Sequence, residues 1–187
     1  MSRLQKVFEK IVAPDPRAGL LAQARLDSLT KPPGSLGRLE ELARRVVEIS
    51  GAEPPAVRSA VIFTLAGDHG VVAEGVSAYP QVVTAQMVEN FLRGGAAVNV
   101  LAHHAGARVV VADLGVIHPL PAHPELRAKK VASGTQNFTL GPAMTRAQAL
   151  QAIEAGIDLV EAEGDLDLIG TGEMGIGNTT PASAITA

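Results

Sequence analysis

Apolar residues in the first fifty positions recur at steps of three and four, the spacing of a single helix face. Two helices are predicted there, over 16–29 and 36–50. In the second, Leu36, Leu39, Leu42, Val46 and Ile49 form the stripe expected to be buried, with Ser35 as N-cap and Gly51 as stop. Between the two helices, Pro32 and Pro33 enforce an extended path. The proline-rich stretch AEPPAV, 52–57, marks a boundary, after which short continuous apolar runs alternate with helical periodicity. AVIFTLA (60–66) is a strand that ends at Gly67, and ARVVVADLG (107–115) is a second. Helices are predicted over 81–92 and 95–105, the latter closed by Gly106. The connection 116–144 shows no periodicity and no element is assigned to it. Thr145 and Gln148 make a capping-box pattern that opens a further helix. Its expected buried face is Leu150, Ile153, Ile157 and Val160, and Gly164 ends it. DLDLIG (165–170) reads as the third strand, and Thr180-Pro181 as the start of another helix, with proline in its first turn.

Strand–helix alternation of this kind predicts an α/β fold: a parallel, Rossmann-like sheet with helices on its faces over 58–187. Residues 1–52 read as N-terminal helices set apart by the proline-rich boundary. In such sheets ligands bind outside the carboxyl ends of the strands. All three strands end there in glycine with a carboxylate: AGDHG, ADLG and GTGEMG.

The last of these needs separating from its look-alikes. Gly170, Gly172 and Gly175 satisfy G-x-G-x-x-G after a strand, the pattern of a dinucleotide site. In that fingerprint the helix begins within the motif, whereas Gly175, Gly177 and Pro181 fall where it should already be running. No Gly-Lys-Ser/Thr follows, so a Walker loop is excluded. The remaining reading is a longer loop, GIGNTT, delivered onto a helix N-terminus. Its backbone N–H groups, the Asn178 amide and the hydroxyls of Thr179 and Thr180 suit an anion. Glu173 would repel a phosphate, so it should face another part of the ligand, as acceptor or base.

Composition narrows the classes. The formal charge of −3 and the lack of any basic run argue against nucleic acid as a partner. Cysteine is absent, which removes disulfides, thiolate metal sites and a thiol nucleophile, and no metal site is predicted. No apolar run reaches membrane-span length and the opening residues lack the core of a secretory signal, so a cytoplasmic protein with no membrane partner is expected. Asp68 and His69, adjacent in a turn, are read as structural, and His103 and His104 as surface residues at a helix end.

KPPGSLGRLE (31–40), AGDHGVVAEGVSAYPQVVT (66–84), GGAAVNVLA (94–102) and GEMGIGNTTPA (172–182) together resemble the nicotinate-nucleotide–dimethylbenzimidazole phosphoribosyltransferase family, in order from about residue 26 to the end. The resemblance implies transfer of the phosphoribosyl group of nicotinate mononucleotide to 5,6-dimethylbenzimidazole. The products are nicotinate and α-ribazole 5′-phosphate, the lower-ligand nucleotide of cobalamin. No cofactor is implied, because nicotinate on a pyridinium nitrogen is already a good leaving group. Carried over, Met174, Gly175, Ile176, Gly177, Asn178, Thr179 and Thr180 would line the nucleotide and phosphate site. Glu173 would sit beside the benzimidazole as a secondary base, and Tyr79 with Gln86 or Met87 would wall the aromatic pocket. A homodimer is implied on the same ground. Members of the family are nearly twice this length, and their second half carries the principal general-base glutamate. The sequence is therefore expected to be an N-terminal portion, its α/β domain incomplete beyond residue 187. Two alternatives stand beside this reading: an NAD-binding oxidoreductase of Rossmann type, and a non-catalytic truncated relative.

Overall fold

The computed structural model describes residues 3–52 and 56–187; residues 53–55 of the proline-rich boundary lie outside the described residues. The chain divides into two compact units, Met1–Val57 and Arg58–Ala187.

The first unit holds α1 (Arg3–Phe8), α2 (Pro16–Asp27) and α3 (Arg38–Ser50). Asp15 caps α2 by accepting from the Arg17 N–H at 2.9 Å, and Gly51 closes α3 with φ +66°. Two expectations for α3 are corrected. It begins after Gly37, not Ser35, and no side chain caps it. Its expected buried stripe is exposed, from Val46 at 38% to Ile49 at 67%, whereas Glu40, Val47 and Glu48 are buried. The charged face turns inward because its carboxylates are matched. Glu40 pairs with Lys31 (2.7 Å) and accepts from the Leu36 N–H (3.1 Å), and Glu48 is held by Arg44 and Arg45. Gly19 of α2 lies against the Glu48 side chain, where a Cβ would overlap it. Ion pairing of this completeness offsets the cost of burying a carboxylate.

The second unit is the predicted α/β sheet. Its strands are β1 (Ala60–Gly67), β2 (Arg108–Gly115), β3 (Leu126–Ala128) and β4 (Leu168–Met174), all parallel, in the order β3-β2-β1-β4. Helices α4 (Val82–Leu92), α5 (Ala97–His104), α6 (Arg146–Ala162) and α7 (Thr179–Thr186) connect or follow them. Alternate residues of the central strands feed two separate cores, as expected of a sheet covered on both faces. Ala66, Val111 and Val116 meet Ala85, Val88, Phe91 and Ala96 on one face; Val61, Phe63, Val110 and Ala112 meet Leu159 on the other.

Three element expectations shift. Strand β4 starts three residues later than DLDLIG and runs through GTGEM, because the Asp167 carboxylate accepts from the Arg58 and Ser59 N–H groups and sets where pairing begins. Helix α6 keeps only part of its expected face: Ile157 and Val160 are half-buried, with Val160 packed on the core, but Leu150 and Ile153 are exposed and Ala155 and Leu159 are buried instead. Its Thr145–Gln148 capping box forms as read. The three-residue β3 lay unassigned within 116–144, too short to show a period.

The phase of α6 yields a test. Leu159→Ala should destabilise the chain by about 2–5 kcal/mol, the cost of a truncated core leucine. Ile153→Ala, at an exposed position, should stay within about 0.5 kcal/mol. Chemical denaturation of both variants checks the pair, and the reverse ranking would restore the sequence-based phase.

Candidate functional site

The carboxyl ends of β1, β2 and β4 open onto one cavity of about 500 Å³, within the range of small-molecule sites. Leu65–His69 from β1, Leu114 and Gly115 from β2, and Glu173 and Met174 from β4 form one side, with Asn178 beyond. Val131–Gln136, Ala143 and Met144, with Gln148 and Ala152 of α6, form the other. The walls are thus largely aliphatic, with Asp68, His69, Glu173 and Asn178 as the polar groups of the strand-end side and Ser133, Thr135, Gln136 and Gln148 as those of the other.

Parallel pairing decides which residues reach the rim. Leu65 pairs with Glu173 and Ala66 with Met174, so β4 delivers Glu173 one residue before the chain turns. At that turn Gly175 crosses directly over the end of β1, and a Cβ there would run into the Gly67 carbonyl oxygen. The following residue is anchored from α4: the Ile176 N–H donates to the Thr84 hydroxyl at 3.1 Å, and Thr84 is fully buried. Gly177 then takes φ +79°, a conformation that favours glycine. The Asn178 and Thr180 N–H groups donate back to the Gly175 and Gly177 carbonyls (3.0 and 3.1 Å). An anion at this turn would therefore find the N–H groups of Gly177 and Thr179, fewer than the loop's length suggests. Helix α7 starts at Thr179 and Asn178 makes no side-chain cap, so its amide stays with the cavity. Gly170 and Gly172 lie inside β4, a placement that no dinucleotide turn uses.

The β1 end is equally fixed. The Asp68 N–H donates to the Gly115 carbonyl (3.0 Å), and its own carbonyl accepts from Thr135 (3.0 Å). Its Oδ2 accepts from the Ile117 N–H at 2.7 Å. The His69 carbonyl accepts from the Gln81 side chain (3.1 Å), and the Gly70 N–H donates to the Thr135 hydroxyl (3.3 Å). Burial lowers the His69 pKa below its ordinary 6.5, opposed by Asn178, Asp68 and Glu173, so the imidazole is neutral. On β2, Asp113 Oδ1 accepts from Gly115 and Val116 (3.0 and 2.8 Å) and shapes the strand end.

Of the residues singled out from sequence, Glu173, Met174 and Asn178 line this cavity. Gly175, Ile176 and Gly177 form the turn, and Thr179 and Thr180 open α7. Tyr79, Gln86 and Met87 are not among the lining residues. Tyr79 is 65% exposed on the loop before α4, Gln86 is exposed, and Met87 packs at the edge of the core. Sequence reasoning missed the Val131–Gln136 wall and the anchoring Thr84. The first sits in a stretch without periodicity, and a threonine in the first turn of a helix carries no signal of its own. No cluster of three or more His, Asp or Glu suited to a metal occurs among the described residues, and no helix there is long and apolar enough to cross a membrane.

Two outcomes are expected. Thr84→Val keeps the shape but strands the Ile176 N–H, which should cost about 1–3 kcal/mol and speed amide exchange at Ile176. His69, with its pKa depressed on folding, contributes stability that is complete above 6.5 and lost as pH falls below it toward the folded value. The melting temperature should therefore drop as pH falls below 6.5, and drop less in His69→Gln. The lowered carboxylates Glu163 and Asp167 act only below their ordinary 4.5 and 3.8.

A family model described as a phosphoribosyltransferase matches residues 11–187. Across its whole length the chain is 58% identical to the nicotinate-nucleotide–dimethylbenzimidazole phosphoribosyltransferase of Geobacter sulfurreducens and 52% identical to that of a Roseiflexus species, covering 54% of each. It superposes on the crystal structure of the enzyme of that name from Thermus thermophilus with a TM-score of 0.87 at 51% identity, over 92% of this chain and 53% of that one. The chain spans about half the length of the curated relatives it matches. The match runs through the strand ends that build the cavity, and the chain belongs to this phosphoribosyltransferase family, that of the nicotinate-nucleotide–dimethylbenzimidazole enzymes.

Proposed function

We propose that this chain binds nicotinate mononucleotide and 5,6-dimethylbenzimidazole and takes part in phosphoribosyl transfer between them, the reaction that supplies the lower-ligand nucleotide of cobalamin. The observation that carries the proposal is the shared rim: Glu173, Met174 and Asn178, on either side of the Gly175–Gly177 turn, line one cavity at the strand ends. The phosphate would lie against the Gly177 and Thr179 N–H groups at the start of α7. The aliphatic walls would accept the flat rings. An azole nitrogen attacks C1′ of the ribose, the bond from C1′ to the nicotinate nitrogen breaks, and its electron pair returns to that ring. The proton of the attacking azole passes to a carboxylate. Holding nucleophile and electrophile in line supplies much of the acceleration, and the base supplies a further part.

Glu173 is the carboxylate this chain offers, as a secondary base. The principal one would come from the half of the relatives' length that this chain does not span. The helices of residues 1–52 would belong to a small helical domain beside the α/β nucleotide-binding domain of 58–187. The same reading carries a cytoplasmic location and a homodimer. Tyr79, Gln86 and Met87 would reach the aromatic base only if the loop before α4 closes toward the cavity.

Incubating the intact protein with both substrates should yield α-ribazole 5′-phosphate and nicotinate in equal amounts. A folded protein that forms neither would sink the proposal. Glu173→Gln should lower kcat by roughly a hundred-fold, the low end of a general base's contribution, with little change in melting temperature.

A further inference from the structure

Asp68 is 1% exposed, yet one of its carboxylate oxygens has no partner. The backbone N–H, the backbone carbonyl and Oδ2 are all taken, by Gly115, Thr135 and Ile117. These three bonds fix the residue and leave Oδ1 alone among polar atoms that should be paired. Asp68 lines the cavity, so the partner can come from whatever the cavity holds. A buried acceptor left unpaired is costly, and a ligand donor would recover that cost.

The neighbours decide what kind of donor that is. Nδ1 of His69 is also buried and unpaired, but the imidazole is neutral and brings no positive charge. Glu173 lines the same cavity and adds a second carboxylate. Two carboxylates and a neutral ring repel a phosphate and suit an uncharged hydroxyl. In a nucleotide whose phosphate lies at the start of α7 and whose ring lies among the aliphatic walls, the pentose spans the gap, and its hydroxyls are the uncharged donors. We infer that Asp68 is a specificity-determining residue whose Oδ1 accepts a hydrogen bond from a ribose hydroxyl of the bound nucleotide. The inference rests on the proposed function for the identity of that nucleotide.

Asp68→Asn is the informative variant. Its amide oxygen still accepts from the Ile117 N–H, which preserves the fold, while its NH₂ replaces the free acceptor with a donor. Calorimetry of nicotinate mononucleotide and of its 2′-deoxy and 3′-deoxy forms reads the effect on the intact protein without needing turnover. The wild type should bind the ribonucleotide roughly 10- to 100-fold more tightly than one of the deoxy forms, as for a hydrogen bond to a charged group. The variant should lose that preference while keeping its melting temperature and its affinity for dimethylbenzimidazole. A variant that discriminates as the wild type does would overturn the assignment. So would a wild type indifferent to both hydroxyls. Binding with ribose discrimination but no transfer product would count against the proposed reaction and leave the role of Asp68 standing.

Discussion

Everything at the site depends on how closely the turn after β4 passes the end of β1. Gly175 lies against the Gly67 carbonyl with no room for a Cβ, and that contact puts two strand ends within one small ligand's reach. Parallel pairing brings β1 and β4 side by side in register, and the missing side chain allows the last step inward. Thr84 then holds the next residue from behind, through a hydroxyl buried in α4. The scaffold thus supplies backbone partners on both sides of the rim, at Asp68 and at Ile176.

A second consequence is a division of labour between neighbouring acidic residues. Asp113 spends Oδ1 on the backbone of Gly115 and Val116 and ties its other oxygen to Lys130 at 3.2 Å. Asp68 spends one oxygen on Ile117 and keeps the other. Two carboxylates at adjacent strand ends thus look alike in sequence and differ in their bonding, one with both oxygens engaged and one with an oxygen left unpaired.

Much of the α/β unit was legible from the chain because its central strands are apolar on both faces and its helices carry end signals. Thr145 and Gln148 announced α6, and the valines of 109–111 announced β2. The errors share a physical cause: apolar spacing reports which face could be buried, and a tertiary partner decides which face is. In α3 that partner is Lys31, paired with Glu40, and the Gly19 face of α2, packed on Glu48, while Leu39, Leu42 and Ile49 stay exposed. In α6 the small Ala155 is buried together with Leu159, on a face where bulk alone would not have put it. At the site, Glu173 and Asn178 were legible because the motif around them is unusual. The wall at Val131–Gln136 was not, since it is held by long-range backbone bonds such as Gln136 N–H to the Ala143 carbonyl.

A nucleotide bound where three strand ends converge would shield the backbone there, and amide hydrogen exchange of the intact protein with and without nicotinate mononucleotide reads that directly. Added protection is expected at Gly177, Thr179 and the Val131–Gln136 wall, with α2 and α3 unchanged. Protection confined to other surfaces, or none at saturating nucleotide, would contradict it.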